Sequence, residues 1–160
     1  MKRRFIDTWF WISLIVETEP FHQKATEFLL KYGYKGDEFY TSNSILAETT
    51  SGILYSKRLI KAPEKKLIPK YAFEFLEKFS KMVTSGEVKV LMADQVLIGQ
   101  SLDLLKKQFR KIPDLSYFDC ESVIHCKQSK IFEILTADDH FEYLDLPIDK
   151  DWKEFKEQKF

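Results

Sequence analysis

Four acids stand among apolar neighbours in this chain: Asp7 in FIDTWFW, Glu48 in SNSILAETTSGIL, Asp119 in LSYFDCESVIHC and Asp138 in IFEILTADDHF. A carboxylate in such a setting is costly to keep ionised unless something positive meets it. Gathered without a cation, the four would raise one another's pKa values, whereas a divalent ion reverses that penalty. Oxygen donors favour Mg²⁺ or Mn²⁺ over Zn²⁺, and no set of His and Cys residues has zinc spacing. Such a centre suits phosphodiester hydrolysis, in which an ion holds a phosphate oxygen, acidifies a bound water and stabilises the leaving oxygen. Asp7 and Asp119 are expected as the principal ligands, with Glu48 and Asp138 completing the cage directly or through water.

The elements that must bring these residues together are legible as alternating runs. Apolar segments of strand length at Arg4 to Asp7, Glu38 to Thr41, Val88 to Met92 and Glu133 to Thr136, with a weaker one at Tyr143 to Asp145, alternate with segments of helical period. That pattern predicts an α/β fold of three layers, a central and mostly parallel short-stranded sheet flanked by helices. The first helix, Trp9 to Val16, is apolar nearly all round and has Thr8 as its expected cap. The second runs from about Phe21 to Tyr32, with Gly33 as a left-handed cap. The third follows Ser42, Asn43 and Ser44 and reaches about Ser56. A fourth, Tyr71 to Thr84, repeats Phe73, Leu76, Phe79 and Met82 or Val83 at helical spacing. Asp94 caps a fifth, Gln95 to Gln108, and Ser116 opens the helix that carries Asp119. Asp7 and Asp138 then fall just beyond strands, at the sheet edge where ligands collect, while Glu48 and Asp119 reach it from helices.

Simpler roles exist for each residue. Ser116 and Asp119 also match a capping box, Asp138 can be a turn acid, and Asp139 a cap for the HFEYL segment. Asp7 could pair with Arg4 or Lys2, and Glu48 could be a solvated helix charge. His22, His125 and His140 are scattered; His125 is expected on the solvated side of its helix, and His140 near Asp138, where it can orient the loop. The basic run Lys57, Arg58, Lys61, Lys65, Lys66 and Lys70, and a second of Lys106, Lys107, Arg110 and Lys111, are solvated faces or local contacts for a phosphate backbone.

Length and composition set outer bounds. The 160 residues suit one domain, and 25 basic against 25 acidic residues leave no whole-chain field for nucleic acid. The expected division is residues 1–148 as the domain and 149–160 as a charged tail, a marginal helix or a frayed end. Cys120 and Cys126 read as reduced core thiols, which fits the cytoplasm. No run is long enough to span a bilayer, and the basic start lacks a cleavage site.

Taken in order, FIDT, ETTSGIL, LSYFDC and LTADDHF resemble the four motif blocks of PIN-domain nucleases, in particular the VapC-type toxin ribonucleases, over roughly Arg4 to Leu146. The resemblance implies a Mg²⁺- or Mn²⁺-dependent endonuclease of single-stranded RNA, a homodimer and a small antitoxin partner. It puts the family's acids on Asp7, Glu48, Asp119 and Asp138, with Thr8 and Ser116 as supporting polar residues. Asp139 stands where the family commonly has a basic or polar residue, which leaves the division between Asp138 and Asp139 open. A catalytically silent scaffold that binds RNA or protein is the alternative, and the presence of all four acids argues against it. An aspartyl-nucleophile phosphatase would need a second Asp two residues after the first, where this chain has Trp9.

Overall fold

The computed structural model describes residues 1–55, 66–112 and 114–157. Strands β1 (Arg3–Ile6), β2 (Glu38–Ser42), β3 (Val88–Leu91) and β4 (Ile134–Leu135) form one sheet in the order β3-β2-β1-β4, every pair parallel. Parallel neighbours need crossovers, and helices supply them: α1 (Thr8–Ile15), α2 (His22–Tyr34), α3 (Asn43–Tyr55), α4 (Ile68–Thr84), α5 (Gln95–Gln108) and α6 (Tyr117–Gln128), with α7 (Lys150–Glu157) closing the chain. The expected α/β architecture is therefore present, and the sheet is wholly rather than mostly parallel. Strand order places β2 and β3 on one side of β1 and β4 on the other. The sheet thus has a topological switch point between the carboxyl ends of β1 and β4, where an open α/β sheet forms its crevice.

The all-round apolarity of α1 has a packing cause. The helix meets α2, α3 and α4, so seven of its eight residues are buried and Trp9 alone stays open to solvent. Trp11 packs on Phe75 and Phe79 of α4, at ring separations of 5.8 and 5.3 Å. Gly52 lets α3 come close: a Cβ there would lie 3.3 Å from the Ile12 side chain.

Several expectations are corrected. Thr8 does not cap α1; Asp7 holds that position, without a side-chain capping bond, and Thr8 is the first helical residue. Gly33 lies inside α2, and the left-handed turn falls at Gly36, with φ of 78°. On α4 the buried stripe is Ile68, Tyr71, Ala72, Phe75, Phe79 and Met82, while Phe73 and Leu76 are exposed. Two apolar stripes compete on that helix, and its packing against α3, α1 and β3 chooses between them. Residues Asp139–Leu144 form a 3-10 helix instead of a strand, because the Asp138 carboxylate accepts from the His140 amide at 2.9 Å and Asp145 turns left-handed. The chain then adds one parallel bridge, Ile148 to Ile134. Lys57, Arg58, Lys61 and Lys65 lie outside the described residues.

Residues 150–157 form a helix with Trp152 and Phe155 buried. The Trp152 ring meets Phe10 at 4.9 Å and Phe28 at 5.4 Å, and its indole N–H donates to the Thr136 carbonyl at 2.9 Å. Arg4, buried on β1, pairs with Asp149, with Asp151 at 2.7 Å and with Asp37 at 2.9 Å, and its guanidinium lies 4.5 Å from the Tyr32 ring centre. Among the described residues, no helix is long and apolar enough to cross a membrane.

Candidate metal centre

The switch point is where the acids meet. Asp7 follows β1 directly, and its backbone amide continues the ladder to β4 by donating to the Leu135 carbonyl at 3.2 Å. One residue further on β4's side, the Thr136 hydroxyl donates to Asp7 Oδ2 at 2.7 Å. Glu48 comes from the second turn of α3, and its carboxylate accepts from the Thr8 hydroxyl. Asp119 enters from the first turn of α6, where it completes a capping box: the Ser116 amide donates to Asp119 Oδ2 at 2.7 Å, and the Asp119 amide to Ser116 Oγ at 3.1 Å. Asp138 caps the 3-10 helix that begins at Asp139, with His140 Nδ1 3.1 Å from Asp138 Oδ1. Capping and site roles thus coexist on Asp119 and Asp138.

The electrostatics follow from burial and crowding. Asp7 is 3% exposed. Burial, then the Glu48 and Asp119 charges, push its carboxyl up to about 8, against the pull of the Thr136 hydroxyl and the Thr8 amide. Burial and the charges of Asp119 and Asp138 raise Glu48 to about 7, with the Thr8 hydroxyl pulling the other way. Asp119 is raised by burial and by Asp138, while its Ser116 bonds and His140 oppose the rise. Among the described residues no Lys or Arg forms an ion pair with Asp7, Glu48 or Asp119. Asp138 is half-buried and its charge reaches both Glu48 and Asp119, whereas Asp139 is exposed.

This donor set has the chemistry of a hard divalent cation: carboxylate oxygens, buried or half-buried and mutually repelling, with no Lys or Arg paired to Asp7, Glu48 or Asp119 among the described residues. As the side chains lie, no three His, Cys, Asp or Glu residues stand at ligand spacing among the described residues. Thr136, Thr8 and Ser116 each hold one of the carboxylates by a hydrogen bond.

Thr136 is the polar residue that sequence reasoning missed. Its signal is its place two residues before Asp138, but only the β1–β4 pairing puts it beside Asp7. His125 is also corrected: it is buried, with its Nε2 3.5 Å from Oε1 of the likewise buried Glu121 one turn earlier on α6, because that face of the helix is packed rather than solvated. His140 lies where expected. Asp94 acts as a helix cap, accepting from the Leu97 amide at 2.8 Å. Cys120 and Cys126 are free and buried, with burial holding both thiols well above their usual range. A depression of about 700 Å³ lies at the amino ends of β2 and β3 and touches none of the four acids.

Fold and site together define an α/β domain with an acidic centre at the switch point of a parallel sheet. The PIN-domain family model matches residues 4–146, and the chain belongs to the PIN-domain family. Among solved structures, it is similar to VapC20 of Mycobacterium tuberculosis, a sarcin–ricin loop cleaving toxin. That likeness has a TM-score of 0.67 at 20% identity and covers 89% of this chain and 95% of the other. It is also similar to VapBC2 of Rickettsia felis, solved bound to a DNA fragment from its promoter. There the TM-score is 0.60 at 14% identity, with 91% of this chain and 96% of that one covered. No curated protein is matched.

Proposed function

We propose that this PIN-domain protein is a Mg²⁺- or Mn²⁺-dependent endoribonuclease that hydrolyses phosphodiester bonds of single-stranded RNA, and that it is the toxin of a toxin–antitoxin pair. One observation carries the chemistry: Asp7, Glu48 and Asp119 come from three separate segments and raise one another's carboxyls, with no Lys or Arg paired to them among the described residues. A fold does not keep such a cluster for stability, because each charge makes the next more costly. Asp7, Glu48, Asp119 and Asp138 would hold the ion. When bound, it supplies charge neutralisation at the phosphate and a water acidified for in-line attack.

The chain's own residues set the stage for that chemistry. Thr136 and Thr8 orient the carboxylates of Asp7 and Glu48, the Ser116 cap holds Asp119 on the rigid first turn of α6, and His140 steadies Asp138. Carboxylates fixed from behind in this way lose little freedom when they take up a cation. RNA as the substrate, and the toxin role, are supported by family membership and by the likeness to VapC20 and VapBC2. An antitoxin of this chain would place a basic side chain among the acids and so take over the counter-charge. We further propose a homodimer acting in the cytoplasm.

The test is cleavage of single-stranded RNA by purified protein. Cleavage should need added Mg²⁺ or Mn²⁺ and vanish in Asp7→Asn and Asp119→Asn while circular dichroism stays unchanged. Persistent cleavage in those folded variants would refute the reading. Calorimetric titration of wild type with Mn²⁺ separates it from the silent scaffold, which would bind no ion at millimolar concentration.

A further inference from the structure

Beside the acids lies a second feature that the chemistry has not used. Trp9, Phe21, Asp138, Asp139 and His140 line a depression of about 420 Å³. That volume falls within the roughly 300–1,000 Å³ of sites for small ligands. Trp9 is 42% exposed on a helix that is otherwise buried, and it sits two residues from Asp7 on the same first turn. The depression adjoins the acidic centre through Asp138, which lines it and whose charge reaches Glu48 and Asp119, and Trp9 lies on the helix that Asp7 caps.

We propose that this depression is a base subsite, in which one unpaired base of single-stranded RNA stacks on the Trp9 indole while the adjoining phosphate lies at the acids. The proposal rests on the RNA-nuclease reading above and adds the part of the substrate that the acids do not touch. The chemistry of the lining selects the base. Glu19 and Asp139, lining carboxylates outside the set that would hold the ion, repel a phosphate, whereas a base is uncharged, presents a flat π-face to an aromatic ring, and offers N–H groups to carboxylate oxygens. A base held in a duplex has no free face to offer, so the subsite requires an unstacked strand.

The other two tryptophans make the test direct. Trp11 and Trp152 are at most 1% exposed, so a solvent-exposed ligand acts on fluorescence through Trp9. The probe is a twelve-nucleotide oligoadenylate RNA, titrated without divalent ion so that no cleavage competes, with an RNA duplex of the same length alongside. The single strand should quench Trp9, the duplex should not, Trp9→Ala should weaken binding about ten-fold and Trp9→Phe should restore most of it. Unmoved fluorescence, unchanged affinity in a folded Trp9→Ala, or an equal response to the duplex would overturn the subsite. So would quenching by an arginine-bearing peptide but not by RNA, which would give the pocket to a protein partner. Trp9 quenching by RNA in a wild type that fails to cleave with Mn²⁺ would support the subsite and remove the nuclease reading, whereas normal cleavage by Trp9→Ala with unchanged affinity would remove the subsite alone.

Discussion

At the scale of single residues, the candidate centre works through side chains that hold other side chains. Burial and the neighbouring acids push Asp7 up to about 8, and the larger of the two opposing pulls is the Thr136 hydroxyl. Removing that hydroxyl leaves the carboxylate in place but unoriented. Thr136→Val should therefore reduce RNA cleavage partially, by about 10- to 100-fold, with ion affinity falling in parallel. Asp7→Asn should abolish cleavage outright. Measured side by side with Mn²⁺ titrations, a Thr136→Val variant with wild-type rate and ion affinity would show that the hydroxyl serves packing alone.

At the scale of elements, two junctions decide whether the site is assembled. The first is Arg4, which ties β1 to the segment leading into α7. Arg4→Met should cost about 3–5 kcal/mol in urea denaturation, because Asp149, fully buried, loses its cationic partner. A loss under 1 kcal/mol would mean that Asp149 is satisfied without Arg4. The same contact bears on the chain's division at residue 149: a fragment ending at Ile148 would expose Phe10 and Phe28, and it should show no cooperative unfolding transition. The second junction is the approach of α3 to α1 at Gly52. Gly52→Val must push Ile12 aside, so it should destabilise by about 1–3 kcal/mol and, by moving α3, carry Glu48 away from Thr8 and slow cleavage. Stability and activity that both match wild type would show that the two helices yield without cost.

At the scale of the whole molecule, the acids link stability to pH and to metal. Asp7 and Glu48 sit at about 8 and about 7 when folded, above the roughly 4 of an exposed carboxyl. The folded chain therefore binds more protons than the unfolded chain between these limits, and its stability falls as pH rises through that window. Thermal melts in EDTA should show a lower Tm at pH 8 than at pH 5. Each kcal/mol is worth about 2–4 °C for a chain of this size, so the expected loss is several degrees. Mn²⁺ at pH 8 should recover it, and Asp7→Asn should melt higher than wild type in EDTA at that pH. A Tm in EDTA that is flat or rising with pH, or indifferent to Mn²⁺, would contradict the buried-carboxylate account. With 25 basic and 25 acidic residues the chain as a whole has no net field to draw a polyanion.

The sequence by itself determined the kinds of element and the identity of the acids. Periodicity separates strands from helices, and a carboxylate inside an apolar run is conspicuous because burial without compensation is costly. It determined less where several local solutions have similar energy. On α4, Phe73 and Leu76 make as good an apolar stripe as Tyr71 and Phe75, and the segment from Asp139 to Asp145 reads equally as strand or turn. The tertiary structure alone decided which strands are neighbours. That choice put β4 beside β1, and so brought Thr136 to Asp7; it closed α7 over Phe10 and Phe28, and buried His125 against Glu121. The contacts of Thr136 with Asp7 and of Trp152 with Phe10 and Phe28 join residues far apart in the chain, whose encounter depends on loop closure and packing rather than on local pattern. Asp7 could be picked out from its neighbours in sequence, but the hydroxyl that orients it belongs to Thr136, 129 residues further along, and reaches it only because β4 pairs with β1.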